Sequence, residues 1–135
     1  MRLMPGGSAT DELSGRVIGA AMRVHATLGP GFTELVYQNA LALEMTLEGI
    51  PFEREVKLDV RYRGELVGHY RVDLLVAGDL ILELKAVQAI LPEHEVQVVN
   101  YLAATGLEHA LLLNFGAKSL QIKKKFRSPH RPESC

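Results

Sequence analysis

Asp73, Glu83 and Lys85 lie within YRVDLLVAGDLILELKA, two apolar runs that meet at a Gly-Asp turn. Strands of this kind pack best when they alternate or stay apolar. Charges within them are costly unless something pairs them. Taking Ala77, Gly78 and Asp79 as a hairpin loop sets Val76 against Leu80, Leu75 against Ile81 and Leu74 against Leu82. Asp73 then faces Glu83, with Cβ atoms roughly 4.5–5.5 Å apart. A loop one residue shorter would pair Asp73 with Leu84 and make less sense of the pattern. Lys85 follows two residues after Glu83 and projects from the same face.

Two facing carboxylates with an ammonium beside them suit a hard divalent cation. Magnesium typically takes one or two carboxylates, with waters and substrate phosphate completing its shell. Such an ion stabilises charge on a phosphate and lowers the pKa of water. A neighbouring lysine orients that water, helps deprotonate it, or stabilises developing negative charge. A surface salt bridge, with Lys85 neutralising both acids on a solvated face, fits the same spacing.

The flanking segments must position these groups. SATDELSGRVIGAAMRVHATLG predicts a helix with Leu13, Val17, Ile18, Ala21 and Val24 on its apolar side, stopped by Gly29 and Pro30. GFTELVYQNALALEMTLEG predicts a second, capped by Thr33 or a neighbour, with Leu35, Val36, Ala40, Leu43 and Leu47 on its apolar side. FEREVKLDVRYRG alternates Val56, Leu58, Val60 and Tyr62 with charged residues, as a half-exposed strand does. ELVGHYRVDLLV and LILELKAV form the next two strands. PEHEVQVVNYLAATG is a helix with Pro92 in its first turn and Gly106 as its stop. HALLLNF reads as a central or parallel strand, and SLQIKKKF as an edge strand. The order ααβββαββ predicts an α/β (α+β) domain, a mixed β-sheet flanked by helices.

The 135 residues are enough for one domain with one core. A net charge of −1 excludes a global basic field, so any attraction to nucleic acid is local. The single cysteine, Cys135, is the last residue and forms no internal disulfide. That fits a reducing compartment, or an added terminal residue. No apolar run reaches the roughly 20 residues of a membrane span, and MRLMPGGSAT lacks the apolar stretch of a signal peptide. The expectation is a cytoplasmic protein, with a disordered lead-in over 1–10, a folded domain over 11–127 and a disordered tail over 128–135.

Asp73, a hairpin, then Glu83-Leu84-Lys85 reads as D-(x)n-E-x-K, which resembles the PD-(D/E)XK nuclease superfamily. The expected element order matches the restriction-endonuclease-like core of that superfamily. Upstream, GPGFTELVYQNAL places Gly31, Glu34 and Tyr37 as G-x-x-E-x-x-Y, which resembles the GxxExxY family within it. The likeness spans roughly residues 12 to 126. It departs at Val72, where the superfamily's motif has proline.

The resemblance implies metal ligation by Glu34, Asp73 and Glu83, with the backbone carbonyl of Leu84 as a further ligand, and Mg2+ or Mn2+ as cofactor. It implies Lys85 as the catalytic lysine. Gln97 and Tyr101 match a Q-x-x-x-Y helix motif of the exonuclease branch, and as i, i+4 neighbours they share a helix face. An amide and a phenol there can orient Lys85 or donate to a phosphate. Tyr37 is a candidate substrate contact or a core residue. Glu34 also suits a helix N-terminus on dipole grounds alone. His25 reads as a packed or capping residue. Lys123, Lys124 and Lys125, with Lys118, Arg127 and Arg131, form either a phosphate-binding tail or edge-strand protection. The functional expectation is a metal-dependent nuclease acting on nucleic acid, DNA ahead of RNA. A homodimer is an arrangement open to so small a domain. The alternatives are a catalytically silent nucleic-acid-binding module and a protein-interaction subunit.

Overall fold

The structure, a computed structural model, describes residues 9–127. The order is α1 (Ala9–Leu28), α2 (Glu34–Leu47), β1 (Phe52–Tyr62), β2 (Glu65–Val76), β3 (Leu80–Lys85), α3 (Pro92–Thr105), β4 (His109–Asn114) and β5 (Gln121–Phe126). This is the expected ααβββαββ arrangement. The strands form one sheet in the order β1-β2-β3-β4-β5. All neighbours are antiparallel except β3 and β4, which run parallel through the α3 crossover. Residues 1–8 and 128–135, on which most of the lead-in and tail expectations fall, lie outside the described residues, as do Arg131 and Cys135. Helix α1 begins at Ala9, within the stretch SATDELSGRVIGAAMRVHATLG read as the first helix.

Strand alternation divides the core between the two faces of the sheet. Leu80, Leu82 and Leu84 of β3, with Leu111 and Leu113 of β4, pack against α1 and α2. Ile81, Ala110 and Leu112 point the other way, onto Val98, Tyr101 and Leu102 of α3. With helices on both sides, β3 is buried from Leu80 through Leu84, which accounts for its continuous apolar run.

The buried face of α2 differs from the expected one. Tyr37, Gln38, Leu41, Ala42 and Met45 face inward, while Leu35, Val36, Leu43 and Leu47 are exposed. The helix is apolar around most of its circumference, so periodicity leaves its orientation open. The Tyr37 ring settles it, stacked on Phe115 with centroids 4.7 Å apart. Its hydroxyl donates to the Gly29 carbonyl and accepts from the Phe32 N–H, tying the α1–α2 loop to the helix. Tyr37 is fully buried, so the substrate-contact expectation for it gives way to a packing role. His25 is likewise packed, buried beside Phe115 with Nε2 3.0 Å from the Ala117 carbonyl.

Candidate active site

The β2–β3 hairpin adopts the expected register, Val76↔Leu80, Leu75↔Ile81 and Leu74↔Leu82. The ladder ends there. Asp73 takes over from the backbone, its Oδ2 accepting the Leu84 N–H at 2.7 Å. Leu84 therefore enters the site through its amide.

A second irregularity sits on the other side of Asp73. Phe52, Leu74 and Val76 pack toward α1 and α2, whereas Val56, Leu58 and Val72 pack under α3. Residues an even number apart on a regular strand share a face, so both strands invert their facing between these sets. The inversion falls at Glu55, which has φ +55, a left-handed conformation uncommon for a residue with a Cβ. Pairing runs Arg54↔Leu74 and Val56↔Val72, and skips Glu55 and Asp73 between them. The Glu55 Oε2 accepts from Gln38 Nε2 at 3.0 Å, and Arg54 donates to Gln38 Oε1 at 2.9 Å. Glu55 is the functional candidate that sequence reasoning missed. The available signal was Arg54, a charge at the alternating position between Phe52 and Val56.

Glu83 is 7 % exposed, and its Oε1 has no hydrogen-bond partner. Burial pushes its carboxyl up to about 8, the charge on Asp73 adds to the rise, and Lys85 opposes it. Asp73, half-buried, is raised first by desolvation and further by Glu34 and Glu55, while the Leu84 N–H and Lys85 pull it down. Lys85, the half-buried last residue of β3, thus acts on both acids. Glu34, in the first turn of α2, contributes to the field at both. Tyr101 is raised by burial and then by Glu83 and Asp73, which puts its phenol in the field of the same pair. Gln97 lies one turn before Tyr101 on α3 and is half-buried.

The backbone around Lys85 is fixed by a residue that the apolar reading of HALLLNF passed over. Asn114 is fully buried and pairs in parallel register with Lys85. Its Oδ1 accepts from the N–H groups of Val87 and Gly116, at 2.9 and 3.0 Å. Its Nδ2 donates to the Val87 carbonyl and to Gln121 Oε1, at 2.9 and 2.8 Å. The Phe115 N–H donates to the Lys85 carbonyl at 2.8 Å. All the side-chain amide's bonding capacity is used, which holds the loop from β3 to α3 in one shape.

The three lysines of β5 do not form one patch. Lys125 is ion-paired with Glu95 of α3 at 2.5 Å. Lys123 lies on the same face and adds to the field that lowers Glu95. Lys124 alternates to the opposite face, and both Lys123 and Lys124 are exposed.

Among the described residues, no three His, Cys, Asp or Glu side chains converge tightly enough to hold an ion as they stand. Two carboxylates nevertheless satisfy the protein's share of a magnesium shell. The orphaned Glu83 Oε1, and two carboxyls both raised first by burial and then by neighbouring acids, describe a site short of positive charge. The residues fit a divalent cation.

The protein SSO0001, known from its crystal structure, superposes with a TM-score of 0.52 at 16 % identity, covering 97 % of this chain and 83 % of that one. An alkaline exonuclease from Laribacter hongkongensis superposes with a TM-score of 0.51 at 13 % identity, covering 90 % of this chain and 71 % of that one. These likenesses carry the fold, a restriction-endonuclease-like α+β core. A comparison with curated protein sequences finds no match. A family model matches residues 11–126, from the first turn of α1 to the end of β5, and by it the chain belongs to the PD-(D/E)XK nuclease superfamily.

Proposed function

We propose that the chain hydrolyses phosphodiester bonds of nucleic acid, DNA ahead of RNA, by in-line attack of water, and that it is of the GxxExxY type within its superfamily. Asp73 and Glu83 would hold Mg2+ or Mn2+, and Glu34 and the Leu84 carbonyl would complete the protein's share of the shell if brought closer by the bound ion. The observation that carries this reading is the buried Glu83 with an unpartnered oxygen, acted on by the charges of both Asp73 and Lys85. So costly a placement persists when something bound repays it. A divalent ion there supplies Lewis acidity toward the phosphate and makes water more acidic.

The chain's own groups do the rest. Lys85 offers a cation at the phosphate, where charge develops. Its backbone is fixed through Phe115 and Asn114, so little reorganisation accompanies reaction. Tyr101 keeps its proton, because burial and the two acids raise it, and so remains a hydrogen-bond donor. Gln97, one turn away, can orient Lys85 or donate beside it. Lys125 is committed to Glu95, which leaves Lys123 and Lys124 as solvent-facing charges for a strand's phosphates. The cytoplasm is the proposed location.

The test is cleavage of labelled single-stranded and duplex DNA and RNA in Mg2+, Mn2+ or chelator. Lys85→Ala protein, purified identically, controls for contaminating nuclease. Cutting by the parent alone, and only with metal, is expected. Equal cutting by both proteins assigns the activity to something else.

A further inference from the structure

β1 and β2 pair along their whole length, from Phe52↔Val76 to Tyr62↔Glu65, while β2 pairs β3 only over Leu74–Val76. The segment from Val56 to Val72 is therefore a two-stranded ribbon that runs past β3, with α3 on one face. It carries Lys57, Arg61, Arg63 and Arg71 against Asp59 and Glu65, all exposed, in a chain whose net charge is −1. Between ribbon and helix lies a cleft of about 320 Å3, walled by Val60, Arg61, Tyr70, Asn100, Ala103 and Ala104.

The lining has three chemically distinct parts. Val60, Ala103 and Ala104 make an apolar wall, and the Tyr70 ring, 40 % exposed, offers a flat aromatic edge to it. Asn100, exposed on α3, carries both a donor and an acceptor. Arg61 is 57 % exposed in its side chain and only loosely engaged, 3.9 Å from Asp59 and 3.5 Å from the Gly64 carbonyl. The Tyr70 ring lies 5.2 Å from the ring of Tyr101, whose phenol shares the field of Glu83 and Asp73. One aromatic pair thus joins the cleft to the carboxylate centre.

A stacking surface, an amide and a guanidinium at the rim match a nucleobase with its phosphate. Stacking on an aromatic side chain needs a base free of its duplex neighbours. Resting on the proposed nuclease function, we propose that this cleft seats one unpaired base of a single-stranded nucleic acid, beside the phosphodiester held at Asp73 and Glu83. Tyr70 stacks the base, Asn100 reads its edge, and Arg61 neutralises the adjoining phosphate.

The experiment is fluorescence anisotropy in chelator, where no cleavage is expected, with a short labelled oligothymidylate alone and annealed to its complement. The parent should bind the single strand more tightly than the duplex. Tyr70→Ala should lose roughly 5-fold or more in affinity, Tyr70→Phe should retain it, and Asn100→Ala should weaken it. Arg61→Gln, a change at an exposed position that spares the fold, should flatten the salt dependence by about 0.7 in log–log slope. Parent-like binding by Tyr70→Ala and Arg61→Gln, equal affinity for the duplex, or no binding by the parent overturns the proposal. A Mn2+-induced thermal shift, read on the parent separately, reports the carboxylate centre. Its absence with the affinity losses intact sinks the centre and leaves the cleft. Its presence without those losses does the reverse.

Discussion

Glu83→Gln should make the metal-free protein more stable at neutral and alkaline pH, although it removes a carboxylate from the proposed centre. The cause is the cost of ionising a carboxyl that is 7 % exposed and sits beside Asp73. The folded protein holds that proton up to about pH 8, whereas the unfolded chain releases it near the ordinary 4.5. Below about pH 4.5 both states are protonated and the site costs nothing. As pH rises toward 8 the unfolded state binds fewer protons than the folded one, so stability falls. Above 8 the loss is complete. A shift of this size corresponds to about 5 kcal/mol, most of it from burial and the rest from the charge on Asp73. Glutamine mimics the protonated acid and should abolish the slope over that window. Urea unfolding from pH 5 to 8 in chelator measures it. The reasoning fails if parent stability is flat across the window, or if the Gln variant declines in parallel.

Four further outcomes follow from particular contacts. Mn2+ should stabilise the parent by about 2.7 kcal/mol at a hundredfold excess over Kd, and Asp73→Asn should erase that gain in a thermal melt. At Glu55, whose φ is +55, Val should cost about 1–3 kcal/mol relative to Gly, read from urea midpoints, because a β-branched side chain tolerates that conformation worst. Tyr37→Phe should lose about 1–3 kcal/mol, since Gly29 and Phe32 each lose the hydroxyl partner. Gly116→Ala should be worse tolerated than Tyr37→Phe in the same assay, because a Cβ there would lie 2.4 Å from the Val87 nitrogen and force apart the loop that follows Lys85.

What could be read from the sequence follows from how local each signal is. The hairpin register was legible because three loop residues and three apolar pairs leave little choice. That β4 is a central or parallel strand was legible because HALLLNF is apolar almost throughout, and the structure makes it both, with α3 as the crossover. The orientation of α2 was not. Its apolar residues nearly encircle it, and the stack of Tyr37 on Phe115 joins residues far apart in the chain. Asp73, Glu83 and Lys85 announced themselves as charges among leucines. Glu55 did not, because its one signal, Arg54 at an alternating apolar position, reads as a solvated strand edge until the facing of both strands inverts there. Asn114 hid inside an apolar run, its bonding fixed by Val87 and Gln121 only once the fold has formed. The lysines of β5 looked like one cluster in sequence, but alternation and the Glu95 pair divide them.

The most direct measurement pairs calorimetric Mn2+ binding with single-turnover cleavage, on parent, Lys85→Ala and Glu83→Gln proteins purified alike. Lys85→Ala removes a cation that lowers both acids, so it should bind Mn2+ at least as tightly as the parent. It should nonetheless cleave on the order of 100- to 1000-fold more slowly, the typical loss for one preorganised transition-state donor. Glu83→Gln should lose metal binding and cleavage together. Equal cleavage by parent and Lys85→Ala, or undiminished Mn2+ affinity in Glu83→Gln, would contradict a metal-dependent centre built on Asp73, Glu83 and Lys85.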